Sequence, residues 1–527
     1  MKLTAAVLFA IATAAACGPP SRPDDVLVYA SGTDLESANP LVTVHPLSRQ
    51  VQRYALLVTL ARYDSVLAAT PYAARRWEWS ADHRQLTFHL VPSLKWHDGS
   101  PTTSRDVAFT VLTGRDPATG YSRSADLAGV DTVLTPDDST AVIRFRLPPA
   151  SFPLIFCELP LVPAHLLSGV TRSEMKRATY NSDPVGNGPF RFVERRAGQL
   201  WRYARNEDFP AEMGGPARLG GIVVAVVDEA TTKFAGLSSG DLDVAGISPT
   251  MAALARRDRS IRVVEYPILF TTGIVFNVHR SPFDDVRVRR AIDLSLHRER
   301  VIDIALAGFG RPAFGPVPSE SPLALTIPAA PNGARADSLL DAVGWTRAMP
   351  NGIRQRNGKP LSFELLTVGS ADNAIEQLIQ SDLADRGIRM QIRQMEGGAF
   401  LTNARAAEKT YEALITGISG DVSLSYLAAM FEGSQRGGSL DYAAFHTRAL
   451  DAAFAATRSA PTDDAKREAW FTVQRQLADS LPIVWVYHSR GVQGVSARLS
   501  NVTMDLRGEL TSLAKWQPVG PPGSRAR

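Results

Sequence analysis

Cysteine is nearly absent from this chain: 527 residues contain two, Cys17 and Cys157. A disulfide framework is excluded, and so are the paired-cysteine motifs of structural zinc and of thiol redox enzymes. Lysine is scarce as well, 8 of the 57 basic residues, which reads as genome composition rather than function. No four Lys or Arg residues are consecutive, and a formal charge of +4 is spread thinly over 57.0 kDa, so a pI of 9.0 leaves no nucleic-acid footprint. Beyond the amino terminus nothing approaches the run of about eighteen apolar residues that spans a membrane. What is present is ordinary globular usage, 45% hydrophobic and 21% charged, which excludes disorder and collagen-like repeats. At roughly 150 residues per domain the length predicts ~3 to 4 domain-sized units.

Complete catalytic and cofactor motifs are also missing. Gly236-Leu237-Ser238-Ser239-Gly240 matches G-x-S-x-G, but a helix is expected before it and a strand after it. That reverses the strand-to-helix order a nucleophile elbow requires, so a helix-terminating turn is expected and a hydrolase using Ser238 or Ser239 is disfavoured. Gly186-Asn187-Gly188 and Gly308-Phe309-Gly310 start like dinucleotide loops, yet Pro189 and Pro312 follow and no third glycine is in place. His83, His89 and His97 lack metal-ligand spacing, so no metal and no cofactor is expected. Arg287, Arg289 and Arg290 are expected on the solvated face of a helix that buries Val288, Ile292 and Leu296.

The amino terminus is informative. Lys2 precedes fourteen uncharged residues, 3–16. As a helix they would cover about 21 Å, short of the ~30 Å hydrocarbon core. The stretch reads as a secretory signal ending in Ala14-Ala15-Ala16, followed at once by Cys17. That junction resembles a bacterial lipobox, apart from Ala14 where Leu is usual, and implies lipidation of Cys17. Residues 17–23 form a Pro-rich tether. Cys157, in an apolar run and without a partner, is expected to be a buried, inert thiol.

Two segments have the α/β pattern. Residues 362–368 alternate as a strand, and 372–386 place Ile375, Leu378, Ile379 and Leu383 at helical spacing. Gly387 is a helix stop, and Ile388, Met390 and Ile392 then alternate with Arg389, Gln391 and Arg393. The second unit runs from a β-branched strand at 222–227, through a helix from 228 to about 237, to a strand at 241–245. Between them 261–277 is extended. Residues 75–147 differ: strands at 86–90 and 141–147, a turn at Asp98-Gly99, and a Thr103-x-x-Asp106 capping box opening a helix with Val107, Phe109 and Val111.

Six further stretches occur in order along nearly the whole chain. They are Thr33-Asp34-Leu35-Glu36-Ser37-Ala38-Asn39-Pro40; Trp77-Glu78-Trp79-Ser80-Ala81-Asp82 with Leu86-Thr87-Phe88-His89-Leu90; Lys95-Trp96-His97-Asp98-Gly99-Ser100-Pro101 with Asp106-Val107; Gly186-Asn187-Gly188-Pro189-Phe190; Asn277 with Pro282-Phe283-Asp284-Asp285-Val286-Arg287-Val288-Arg289; and Gly310-Arg311-Pro312-Ala313. Together they resemble the family-5 extracellular solute-binding proteins, the oligopeptide- and dipeptide-binding components of bacterial ABC importers. The resemblance implies an α/β, two-lobe periplasmic-binding-protein type fold with hinge strands and an additional small α+β domain. The expected division is lobe I at 24–44, 182–268 and 488–520, the additional domain at 45–181, and lobe II at 269–487.

The implied function is capture of a peptide in the interlobe cleft and delivery to ABC permease subunits driven by a separate ATPase. Catalysis is not expected, and the protein is expected as a monomer held on the membrane by its lipid. The same fold in relatives carries oligosaccharides, opines or nickel complexes, which are the alternatives. Gly417-Ile418-Ser419-Gly420-Asp421 is similar to the stretch whose aspartate pairs with a peptide's α-ammonium group, although Ile418 replaces a tryptophan and no Asp-Pro follows. The resemblance assigns main-chain pairing to Gly417, Ser419 and Gly420 and to the loop at Asp34 and Leu35, charge pairing to Asp421, and a cleft-facing aromatic to Trp485 or Tyr487.

Overall fold

The computed structural model describes residues 22–149, 151–327, 330–369 and 373–519; the expected signal segment and Cys17 lie outside them. An eleven-stranded mixed sheet forms the frame. Its order is Arg389–Met395, Ser362–Val368, Ala413–Ser419, Ile261–Phe276, Ile483–Ser496, Val244–Gly246, Val26–Ser31, Gly221–Val226, Leu200–Arg205 and Phe190–Arg196, with Gly310–Pro312 added alongside Ile483–Ser496.

Both α/β units are present, but they are wired differently. Ser362–Val368 and Arg389–Met395 are direct parallel neighbours, bridged by the helix Ala374–Ala384. Gly221–Val226 and Val244–Gly246 are not neighbours; the amino-terminal strand Val26–Ser31 lies between them, parallel to both. Apolar alternation announces a strand, while its neighbour is set by contacts distant in sequence.

The two longest strands, Ile261–Phe276 and Ile483–Ser496, pair antiparallel and carry the sheet from one lobe to the other. Their register shifts between Pro267 and Thr271, opposite Arg490 and His488, and again between Thr272 and Gly273. The second shift separates two aromatic side chains that strict alternation would place on one face. Trp485 packs with Phe431, Phe454 and Leu477, whereas Tyr487 joins Phe276, Ile292 and Val301.

A separate four-stranded antiparallel sheet runs Ala74–Trp79, Gln85–Leu90, Thr140–Phe145, Val130–Asp137. Its inward residues Phe88 and Ile143 belong to the same apolar cluster as Leu27, Trp201 and Tyr203 of the large sheet, so this small sheet shares one core with lobe I. The Lys95–Pro101 signature acts as an anchor in that core. Trp96 is 2% exposed and donates from its indole to Asp106 Oδ2 at 3.2 Å. Asp106 also accepts the Thr103 N–H at 2.7 Å and the Ala164 N–H at 2.8 Å, closing the helix Ser104–Arg115 at its start. His97 holds Gly188 O at 3.0 Å, and burial pushes its imidazole down to about 4. Gly186 and Gly188 lie so close to the backbone at 55–57 that a Cβ would come within 2.0 and 2.5 Å of carbonyl oxygens. This Gly-Asn-Gly is a chain crossing, which explains its resemblance to a phosphate loop without the chemistry.

The arginine cluster corrects the sequence expectation. Arg287 is exposed, but Arg289 is 5% exposed and donates to Leu481 O at 2.9 Å, Ser480 O at 2.6 Å and Phe283 O. It satisfies carbonyls at the end of the helix Asp463–Ser480, where Leu481 adopts φ 44°. A guanidinium carries five fixed donors, enough to make its burial tolerable. Gly236–Gly240 ends the helix Ala230–Ser239, with Gly240 at φ 84° and Ser239 Oγ bonded to Gly236 O and Asp241.

Candidate functional site: an interlobe contact built on charge

The strand Ala413–Ser419 is paired on one side along its whole length with 270–276 of the long strand. On its other side the ladder to Ser362–Val368 stops at Leu414, and among the described residues no strand continues it. The backbone of 415–419 therefore keeps one open edge. Gly417 lies under the ring of Phe270, where a Cβ would meet the ring at 2.1 Å, so a larger residue requires that ring to move. Ser419 is exposed, and Gly420 N–H reaches Leu269 O at 2.7 Å. Ile418 is 3% exposed in the core with Leu427 and Phe431, so its side chain points into lobe II.

Asp421 is 8% exposed. Oδ1 accepts from Ser423 Oγ at 2.6 Å and Ser425 N at 3.0 Å; Oδ2 accepts from Ser425 Oγ at 2.8 Å and Tyr426 N at 3.1 Å. A carboxylate offers about four acceptor sites, and all are filled from its own loop, at the start of the helix Ser425–Phe431. Burial works against the ionised form, but the charge of Arg123 and the serine hydroxyls, helped by Arg49, outweigh it and hold the carboxyl below its ordinary range.

Arg123 reaches Asp421 from across the cleft. Its guanidinium donates to Ser423 Oγ at 2.8 Å, and Ser423 donates in turn to Asp421. Around Arg123 lies a cluster that sequence reading missed. Glu158 accepts from Arg123 and from Tyr63 OH at 2.7 Å, with Arg49 and Arg53 at 3.9 and 4.0 Å. Asp126 holds Arg123 at 2.8 Å. Three cations and the three acids Glu158, Asp126 and Asp421 thus meet where the 45–181 region touches the loop at 421–426. Val422 packs against the small cluster of Ala61, Tyr63 and Cys157, and Lys466 Nζ bonds Ser151 Oγ at 3.0 Å, so the 45–181 region and the 269–487 region are in contact. Arg123 and Ser423 are 300 residues apart in sequence, and no local pattern pairs them.

The other expected site residues lie elsewhere. Asp34 is held inside lobe I by Trp201 Nε1 at 2.7 Å, Gly198 N at 3.0 Å and Arg195 at 3.0 Å. Burial acts upward on its carboxyl, but these three donors keep it below the usual range. Leu35 is 3% exposed in the same core. Trp485 and Tyr487 are core residues, and burial raises the Tyr487 hydroxyl. Cys157 is 1% exposed and its thiol is pushed up by burial. Among the described residues no cluster of three potential metal ligands occurs, and no helix is long and apolar enough to cross a membrane.

A mixed sheet crossing between two lobes on a pair of long strands, with a charged contact where the lobes meet, defines a two-lobe binding protein. Residues 68–438 match the family model of bacterial extracellular solute-binding proteins, family 5 middle region, and the chain belongs to that family. A Brucella ovis protein assigned by name to ABC-transporter peptide binding is 29% identical over 354 residues, 66% of this chain and 65% of its own length. The oligopeptide-binding protein AppA of Bacillus subtilis is 23% identical over 440 residues, 81% of this chain and 79% of that protein. The structure of AppA with a nonapeptide superposes with a TM-score of 0.80 at 21% identity, covering 94% of this chain and 99% of that one. Campylobacter jejuni NikZ in complex with Ni(L-His) superposes at 0.82 with 19% identity, over 94% and 100%. At these identities the two structures establish the fold.

Proposed function

We propose that this protein is a lipid-anchored extracytoplasmic binding protein that captures peptides between its lobes and hands them to an ABC permease served by a separate ATPase. The observation that carries the peptide reading is the open edge of 415–419, beside the Asp421 loop and the interlobe contact of Ser423. A peptide in extended form pairs with such an edge through its backbone, which is indifferent to side-chain identity. AppA, similar over most of its length and solved with a nonapeptide, supports the same reading. Asp421 then supplies a buried negative charge toward a peptide ammonium group, acting together with Gly417, Ser419 and Gly420. Lobe I comprises 24–44, 182–268 and 488–520, lobe II 269–487, and the domain at 45–181 closes one end of the cleft. Ligand contacts made to both lobes drive closure.

Native mass spectrometry of protein purified from its own cell envelope tests this: co-purified peptides are expected, and a non-peptide solute in their place overturns it. For the anchor, Cys17→Ser is expected to move the protein from the detergent phase to the soluble fraction; unchanged partition overturns lipidation.

A further inference from the structure

Arg22 ties the amino-terminal end of the chain to lobe I. Its guanidinium donates to Gly240 O at 3.4 Å, Asp241 O at 3.2 Å and Asp243 Oδ1 at 3.2 Å. Asp243 is fully buried and also pairs with Arg498. One residue before Arg498, Ala497 N–H donates to Ser260 O at 2.7 Å. Ser260 lies in a tight turn, where Asp258 N–H reaches Ala255 O at 3.1 Å and Ile261 N–H returns to Asp258 O at 3.1 Å. The turn joins the helix Pro249–Ala255 to the long strand Ile261–Phe276. It leaves Arg256, Arg257, Arg259 and Arg262 exposed, with Leu254 45% exposed beside them. Residues 254–262 carry a net charge of +3, against +4 for the whole chain. The neighbouring acids are occupied: Asp243 by Arg22 and Arg498, Glu265 by Arg490, and Asp258 by the N–H and hydroxyl of Ser260. The guanidiniums are not. Arg256 lies over the Phe309 ring at 5.2 Å, and among the described residues Arg257, Arg259 and Arg262 have no side-chain hydrogen bond or ion pair.

Cys17 is five residues before Arg22. Even fully extended, five residues span at most about 18 Å. Acyl chains on Cys17 would therefore hold the Arg22 contact within that distance of the lipid headgroups. Fields between exposed charges decay over about 8 Å at physiological salt, so only charges close to this exit point act on the membrane. The turn at 256–262 is the cationic group that stands there, and a guanidinium suits a phosphate oxygen pair. We infer that this turn rests on an anionic bilayer surface, with Arg257, Arg259 and Arg262 contacting lipid phosphates and Leu254 entering the headgroup layer. This rests on the lipid-anchor reading above and deepens it: the acyl chains attach the protein, and the arginines orient it. Arg262 is at the start of the strand Ile261–Phe276, whose far end pairs with Ala413–Ser419 of lobe II. A molecule seated on its arginines thus holds lobe I against the membrane and keeps lobe II away from it.

Vesicle sedimentation tests this with purified Cys17→Ser protein, which carries no lipid, so that any attachment comes from the surface alone. Vesicles of phosphatidylglycerol and phosphatidylethanolamine in equal parts are expected to bind it, and vesicles of phosphatidylcholine are not. Salt at about 0.5 M is expected to release it. In the same background Arg257→Gln/Arg259→Gln/Arg262→Gln is expected to lower the affinity roughly 100-fold, about fivefold per charge. Arg335→Gln/Arg389→Gln/Arg436→Gln removes the same charge from exposed positions of the 269–487 region, and is expected to bind within about twofold of its parent. Equal losses in the two triple variants would assign binding to net charge and overturn the patch. Binding that ignores the difference between the two kinds of vesicle overturns it too, as does no binding to either. Detergent partition of wild type reads the anchor separately. Unlipidated wild type whose Cys17→Ser form still binds anionic vesicles defeats the anchor and upholds the patch; lipidated wild type whose Cys17→Ser form ignores them does the reverse. Arg257, Arg259 and Arg262 make no side-chain hydrogen bond, so the melting temperature of their variant is expected to match its parent.

Discussion

Asp34 and Asp421 bear the same side chain on loops that sequence marks alike, and both carboxyls are held below their ordinary range, yet they do different work. The three donors of Asp34 come from one hairpin of its own lobe, and Arg195, which is one of them, also lies 5.0 Å over the Trp201 ring. Asp421 is saturated by its own loop, and its electrostatic partners Arg123 and Arg49 come from the opposite side of the cleft. One carboxylate fastens segments that never part. The other sits on a contact that must break and re-form if the lobes open.

The largest expected effect comes from unbalancing the side of the contact that faces Asp421. Glu158 is the acid nearest to Arg49, Arg53 and Arg123, and Glu158→Gln leaves Arg53 without an acidic partner and the buried Arg123 with Asp126 as its remaining ion pair. Urea unfolding is expected to show a loss of about 3 to 5 kcal/mol; a loss under about 1 kcal/mol would mean that solvent, rather than Glu158, balances these arginines.

Next comes Asp421→Asn. If its charge serves the ligand, binding of tri-alanine is expected to weaken by about 2 to 5 kcal/mol, with N-acetylated tri-alanine weak in wild type and insensitive to the change. Equal binding of free and acetylated peptide would reduce Asp421 to a cap for the helix Ser425–Phe431.

Asp34→Asn separates the pair from the other direction. It removes one charged partner of Arg195 in a part-exposed site, so a stability loss of about 1 to 2 kcal/mol is expected. Ligand affinity should not move. A drop in affinity without a drop in stability would place Asp34 in the cleft after all.

The smallest effect is on pH. Both folded-state carboxyls lie below their unfolded values, so their stabilisation is complete above about pH 4 and is lost as pH falls through the lowered folded values. Acid titration of wild type should therefore show a downturn below about pH 4 that is shallower in Asp34→Asn and in Asp421→Asn. Identical acid limbs in all three proteins would assign the downturn to other carboxylates.

Sequence was a reliable guide wherever the deciding physics is local. Alternation at 362–368 and 388–393, with apolar spacing at 375–383 between, gave the unit found at Ser362–Met395, because its strands are direct neighbours joined by their own helix. The Thr103–Asp106 cap and the helix stop at Gly240 were legible for the same reason. The other α/β unit was legible as elements but not as a sheet, since Val26–Ser31 enters it from nearly two hundred residues away. Arg289 illustrates a further limit. Helical spacing places it beside exposed neighbours, and only the carbonyls at 480–481 explain its burial.

The amino-acid sequence by itself therefore determined the elements, their caps and turns, and the family signatures, all of which depend on residues within about a turn or a hairpin of one another. Tertiary structure alone decided which strands became neighbours, which of the marked carboxylates belongs to the interlobe contact, and that Arg49, Arg53, Arg123 and Glu158 share a cluster. The reason is physical. A guanidinium gives no periodic signal, and whether it is solvated, a cap or a ligand contact depends on the acceptors that folding brings to it. For Arg123 that acceptor is 300 residues away.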